Sequence, residues 1–340
     1  MVRNGNDEHR WSVILAGGDG TRLLPLTRLI SGDDRPKQFC PLLEDMTLLG
    51  RTRLRIEPHF AASRTLFVLT AAHERYYREE MVNVQPRQML VQPLNCGTLP
   101  AILWSLIRIT EMDSEAVVAF FPSGHNYSDE IGFMAGVNMA CQAAESGSPY
   151  VTLLGVPARH AECGYGWIEA EASTSRHSTV PLLRVKRFWE KPSASLARQL
   201  LDQGCVWNTF VMAGRARGFL DVIAAAAPAL YGAFQEEDIG GLYESLAVAD
   251  FSKRILTAST ERLAVLCLGD VGWSDLGEPQ RVIRALSENG LESPGVALWR
   301  RAGAGRESEM GFRHGTNAVL SAPSSKTRAH AAEAVCAAGA

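Results

Sequence analysis

The sequence predicts an α/β fold: a mixed, mostly parallel sheet flanked by helices. Three observations carry that expectation. Short apolar runs alternate with longer segments of helical period between Trp11 and Gly155. The first run enters a glycine-rich turn, where strand C-termini of such sheets hold their ligands. Hydrophobic residues make up 46% of the 340, enough for a sizeable core.

The elements follow in order. Strands are expected at Ser12–Ala16, Thr65–Thr70, Met89–Gln92, Ala116–Phe121 and Val151–Gly155. Helices are expected at Leu48–Ile56, Glu74–Val82, Pro100–Glu111 and Glu130–Glu145. Thr98 suits the N-cap of the third helix, with Pro100 in a first turn where its missing N–H costs nothing. Asp129 suits the start of the fourth, its carboxylate facing the positive end of the dipole. Gly164–Glu171 and Leu182–Trp189 read as strands around a polar stretch, a hairpin-like insertion. Helices resume at Ser195–Gln203, Arg217–Ala226 and Ala233–Ala247. A strand, Leu263–Leu268, then leads to a helix near Gln280–Leu286.

Residues 1–10 read as a polar extension, 11–287 as the domain, and 288–340, rich in Ala, Gly, Ser and Arg, as a weakly ordered tail. A net charge of -3 gives no electrostatic case for nucleic acid. The N-terminus lacks the apolar core of a signal peptide, and no apolar run approaches the ~20 residues of a membrane span. Seven scattered cysteines form no CxxC pair, so neither a zinc site nor a disulfide framework is expected. Together these features point to a cytoplasmic protein; homo-oligomer formation is left open.

The chemistry concentrates at Leu15–Phe39, LAGGDGTRLLPLTRLISGDDRPKQF. Gly17, Gly18 and Gly20 let the backbone approach a ligand with no Cβ in the way. Successive N–H groups there form an anion nest, and Arg22, Arg35 and Lys37 add positive charge. A nucleoside triphosphate suits that arrangement, although a glycine turn is often only a turn. It is not a Walker A loop.

This run resembles the signature of sugar-phosphate nucleotidyltransferases, and its RPKQF ending the mannose-1-phosphate guanylyltransferase branch. Four further motifs follow in the family's order, over roughly residues 11 to 287. The resemblance implies a Rossmann-like nucleotidyltransferase fold with a small β insertion for the sugar. It also implies a Mg²⁺-dependent reaction of GTP with mannose 1-phosphate, giving GDP-mannose and pyrophosphate. Ala16, Gly17, Gly18, Gly20, Thr21 and Arg22 would cradle the triphosphate, with Gly97, Thr98, Ser123, Gly124 and His125 around the nucleotide. Gly166, Glu190, Lys191 and Asn208 would bind the sugar phosphate. Arg22, Lys37, Lys191 and Asp275 would be the catalytic groups, Asp275 holding the metal. As bare patterns, Thr98 and Asp275 are equally helix caps, and Asn208 a turn residue.

Two positions that should carry charge depart from the family, as does the aromatic expected where Glu278-Pro279 stands. Cys96 stands where an arginine is expected, and Gly124 where a magnesium-binding aspartate is expected. Three readings stay open: an impaired guanylyltransferase, an inactive relative that binds sugar nucleotides and regulates a partner, or an enzyme for another hexose 1-phosphate and nucleotide. The roughly fifty residues after 290 are too few for the isomerase domain that some guanylyltransferases add, so no second activity is expected.

Overall fold

The computed structural model describes residues 8–171, 180–236, 239–291, 293 and 295–301. One compact unit reaches to Leu298; a second begins at Trp299, and only 299–301 of it are described. The strands in chain order are β1 Arg10–Leu15, β2 Thr65–Thr70, β3 Met89–Gln92, β4 Val117–Pro122, β5 His125–Asn126, β6 Val151–Pro157, β7 Gly166–Ala170, β8 Leu182–Glu190, β9 Val206–Arg215, β10 Leu263–Cys267 and β11 Ser274–Asp275. The helices are α1 Leu24–Ser31, α2 Leu48–Ile56, α3 Glu74–Tyr77, α4 Thr98–Met112, α5 Glu130–Glu145, α6 Ala194–Asp202, α7 Ala216–Ala226, α8 Pro228–Ala233, α9 Ile239–Ser245 and α10 Pro279–Glu288.

Among the described residues, nine strands form one mixed sheet in the order β3-β2-β1-β4-β9-β6-β10-β8-β7, with β9 also pairing β7. The first four are parallel, as is the β6–β10 pair. Both faces of the parallel part are covered, so its strands are continuous apolar runs rather than alternating ones. Ile14 of β1 joins Phe133, Val137 and Ala140 of α5 in one apolar layer. Trp11 and Val13, on the other face, join Ile102 and Leu106 of α4 and Phe219 and Ile223 of α7. Ser12, in the middle of β1, is fully buried and donates to Thr65 Oγ1 at 2.9 Å, so it carries no unsatisfied hydroxyl.

Local signals explain several boundaries. Thr47 caps α2 by accepting the Gly50 N–H at 3.0 Å, and Asp129 caps α5 by accepting that of Gly132 at 2.8 Å. Thr98 does not cap α4. The residue before that helix is Gly97, and Thr98 Oγ1 instead accepts the Phe251 N–H at 2.8 Å. The segment expected as one helix, Ala233–Ala247, contains α9, while its first residue ends α8; 237–238 lie outside the described residues. α3 is four residues long, shorter than Glu74–Val82.

The expected hairpin is present: β7 and β8 pair antiparallel, Gly166 opposite Glu190. The polar stretch between them, 172–179, lies outside the described residues. The sequence reading missed β9, which runs antiparallel between β4 and β6 and joins the two halves of the sheet. The tail from 302 onward is also outside the described residues. Among the described residues no helix is long and apolar enough to cross a membrane.

Candidate active site

A cleft of about 480 Å³ opens at the C-terminal ends of β1 and β4. Its lining includes Gly17, Gly18, Gly20, Thr21, Arg22, Lys37, Gly97, Thr98, Ser123, Gly124 and His125. Most of the expected nucleotide residues are therefore brought together. Ala16 is buried beneath them; its N–H bonds the Val68 carbonyl at 2.9 Å, and it does not line the cleft.

The glycine loop is held by its carbonyls. Gln38 Nε2 donates to the Ala16 and Gly18 carbonyls at 2.8 and 2.7 Å. Thr70 Oγ1 donates to the Gly17 carbonyl at 2.8 Å. A Cβ on Gly17 would stand 2.7 Å from Gln92 Nε2 and 2.9 Å from the bracing Thr70 Oγ1, so these side chains exclude one there. Gly20 adopts φ 61, where glycine alone carries no Cβ strain. Asp19 meets His73 Nε2 at 3.2 Å and accepts from Asn95 Nδ2 at 2.8 Å, so its charge is turned from the nest. Gln38 and Gln92 were not singled out by sequence; Gln38 sat unread inside the RPKQF run.

Gly97 adopts φ 90, and a Cβ on it would strike the Ala249 carbonyl. That close approach seats the start of α4 against the cleft wall. Cys96 is buried, its Sγ 3.7 Å from the Tyr243 carbonyl, and it does not line the cleft. Ser123 lines it but donates its hydroxyl to the Leu15 carbonyl at 2.8 Å.

The far wall comes from the segment around Asp275. β11 pairs with β5, which sets Asp275 opposite His125, and the Leu276 N–H bonds the Gly124 carbonyl at 2.9 Å. Asp275 Oδ1 accepts from Arg281 Nη1 and from the Gly277 N–H, each at 2.7 Å. Burial alone would raise the Asp275 carboxyl, but Lys37 and Arg281 hold it below the usual range. Arg281, unread in sequence, also lies 3.2 Å from Glu162 and over the Tyr165 ring at 4.3 Å. Lys37 donates to the Leu276 carbonyl at 3.2 Å; desolvation lowers its pKa, Arg22 and Arg281 adding to the fall and Asp275 opposing it. His125 is pushed down to about 3, by burial first, and its neutral ring accepts from Trp273 Nε1 at 3.3 Å.

These residues do not fit a magnesium ion held by the protein. Mg²⁺ demands a near-octahedral set of oxygens, usually with one or two carboxylates. Here Asp275 is already engaged by Arg281 and faces Lys37, and position 124 offers no oxygen from a side chain. Asp129 is committed to capping α5. Among the described residues no group of three or more His, Cys, Asp or Glu converges on a metal position.

The expected sugar residues form a second set beside the first. Gly166 pairs with both Glu190 and Asn208 across β7, β8 and β9. A Cβ on Gly166 would stand 3.1 Å from Glu190 Oε2 and 3.3 Å from the Asn208 Cβ, so only glycine leaves this floor open. Lys191 Nζ lies 3.0 Å from Glu190 Oε1, its backbone at φ 51. Burial raises the Glu190 pKa, Lys191 opposing and Asp250 adding to it. Asn208 Oδ1 accepts the Phe210 N–H at 3.1 Å. Phe210, at φ 58, and Asp250 line the cleft, so the two sets adjoin there. Non-glycine residues at positive φ are costly and cluster at functional sites.

The sequence model described as Nucleotidyl transferase matches residues 11–290. The Xanthan biosynthesis protein XanB of Xanthomonas campestris pv. campestris (strain B100) is 31% identical over 291 residues, 82% of this chain and 60% of that protein. Mannose-1-phosphate guanylyltransferase 2 of Escherichia coli O157:H7 is 27% identical over 289 residues, 79% and 58% of the two chains. The chain thus spans about six-tenths of the length of these curated relatives. A crystal structure from Thermus thermophilus, of a protein described as a mannose-1-phosphate geranyltransferase, superposes with a TM-score of 0.73 at 26% identity. It covers 84% of this chain and 80% of that one.

Proposed function

The chain belongs to the nucleotidyl transferase family, and we propose that it makes GDP-mannose and pyrophosphate from GTP and mannose 1-phosphate. The observation that carries this is the meeting of the braced glycine loop, Arg22 and Lys37 in one cleft, with Glu190, Lys191 and Asn208 beside it. The likeness to a mannose-1-phosphate guanylyltransferase of E. coli supports the choice of sugar and base.

The reaction needs no covalent intermediate on the protein. An oxygen of the sugar phosphate attacks the α-phosphorus in line, the bond to the bridging oxygen breaks, and pyrophosphate leaves with that electron pair. The protein's task is to hold two mutually repelling anions together and to neutralise the charge that develops. Backbone amides of the glycine loop receive the triphosphate. Arg22 and Lys37 neutralise the departing side. Lys191 holds the incoming phosphate, while Glu190 and Asn208 accept and donate to sugar hydroxyls. Asp275 tethers Arg281 and faces the charge of Lys37 rather than touching substrate. The thiols of Cys40, Cys96, Cys163, Cys205 and Cys267 are free, which supports a reducing, cytoplasmic setting.

Purified protein given GTP and mannose 1-phosphate should release pyrophosphate, with GTP preferred in competition with UTP, dTTP and ATP. Turnover with another pair would move the assignment to that substrate. Tight GDP-mannose binding with no turnover on any pair would favour the second reading, a sugar-nucleotide-binding relative. Gly124 is the observation behind that alternative.

A further inference from the structure

Gly124 reads in sequence as a lost ligand. In the fold its missing side chain is replaced by another residue. A Cβ built on Gly124 falls 2.5 Å from Lys37 Nζ, so the lysine head occupies the space a side chain at 124 would need. Lys37 is anchored there by the Leu276 carbonyl, on the turn that also bonds Gly124, and it faces Asp275. Arg281 Nη1 lies 2.7 Å from the same carboxylate, and on the same wall Arg22 Nη1 lies 3.1 Å from Glu278 Oε1. Two cations, Lys37 and Arg281, thus face one carboxylate at the cleft wall.

We propose that Lys37, seated in the space left by Gly124, supplies the positive charge toward the nucleotide phosphates that a protein-held divalent cation would otherwise supply, so that nucleotide binding here is independent of such an ion. This rests on the nucleotidyl-transfer reading above. The physical case is charge and space. A divalent ion beside Asp275 would have to displace Lys37 or share its position, and like charges at such separations repel strongly. An ammonium cannot bridge several phosphate oxygens as Mg²⁺ does, but it needs no carboxylate ligands. The same geometry makes Gly124→Asp a poor repair: its carboxylate would pair with Lys37 and remove the cation from the nucleotide.

The test is GTP binding by calorimetry, in EDTA and in Mg²⁺, with Mn²⁺ binding to the protein alone read by electron paramagnetic resonance. Thermal melting confirms that each variant folds. The unmodified protein should bind GTP with Kd values within about threefold in the two media, and should not bind Mn²⁺ appreciably. Lys37→Met should weaken GTP binding about tenfold to a hundredfold in EDTA, the scale of one charge-assisted contact. Gly124→Asp alone should also weaken it, and Lys37→Met with Gly124→Asp should gain Mn²⁺ binding. GTP bound only with Mg²⁺, or Mn²⁺ bound by the unmodified protein, would overturn the inference and leave the transferase reading standing. No GTP binding in either medium would remove both.

Discussion

Arg281 Nη1 stands 2.7 Å from Asp275 Oδ1, tying helix α10 to the turn that closes over Gly124. The pair is mostly buried, with 8% and 22% of the two side chains exposed. Removing one partner of a buried pair leaves the other charge uncompensated. Arg281→Met should therefore lower stability by about 3 kcal/mol and slow transfer about tenfold or more by loosening the wall that holds Lys37. Urea denaturation and the rate of pyrophosphate release measure the two effects. Unchanged turnover would mean the wall does not position the lysine.

His125 provides a pH prediction. Its pKa is lowered to about 3 by burial, with Lys37 and Arg55 repelling its proton and Asp275 opposing them. The unfolded chain's histidine binds its proton near about 6.5. The stability tied to its neutral form is thus complete above that value and is lost as pH falls toward the folded pKa. The slope is about 1.4 kcal/mol per pH unit, or about 2 kcal/mol at pH 5. The buried His73, also lowered by desolvation, acts in the same sense. Denaturation midpoints at pH 7 and pH 5 should differ less in His125→Phe than in the unmodified protein; an equal difference would dismiss His125 as the source.

Gly97→Ala forces a Cβ into the Ala249 carbonyl at a backbone φ of 90. Strain of this kind costs about 1–3 kcal/mol. Because α4 begins there, the expected result is a lower melting temperature together with weaker GTP binding. Normal binding in a protein that melts normally would show that the loop relaxes without consequence.

Glu190→Gln should separate the two substrate sets. Glutamine keeps the shape but loses the anion beside Lys191. The KM for mannose 1-phosphate should rise about tenfold, the scale of a hydrogen bond to a charged group, with the Kd for GTP unchanged. A change confined to GTP would assign Glu190 to the wrong set.

Asp19 and His73 anchor the glycine loop from outside the cleft at 3.2 Å. His73→Leu removes one of the two groups that hold Asp19, leaving Asn95 alone to keep its charge, which opposes phosphate, from the nest. GTP binding should weaken about fivefold or more by calorimetry, and His73→Leu with Asp19→Asn should recover most of it. Failure of the double variant to recover would place the effect in packing instead.

Sequence determined the parts whose causes are local. The apolar runs of β1, β2 and β3, the cap of α5, and the glycine loop all follow from neighbours within a few residues, and each was found near its expected bounds. The order of motifs also pointed to many of the residues that line the cleft, but not to Gln38, Gln92, Phe210 or Asp250. Local reasoning failed where the partner is distant in the chain. β9 carries no clean alternation, since Phe210 takes a left-handed backbone, and it is a strand because β4, β6 and β7 offer it hydrogen bonds. Thr98 has the residue type of a cap, but Phe251 claims its hydroxyl. Gly124 reads as an absence until Lys37, 87 positions earlier, is found in its place. Tertiary structure alone decided these, because spatial occupancy and charge pairing depend on which distant residues the folded sheet brings within a few ångströms.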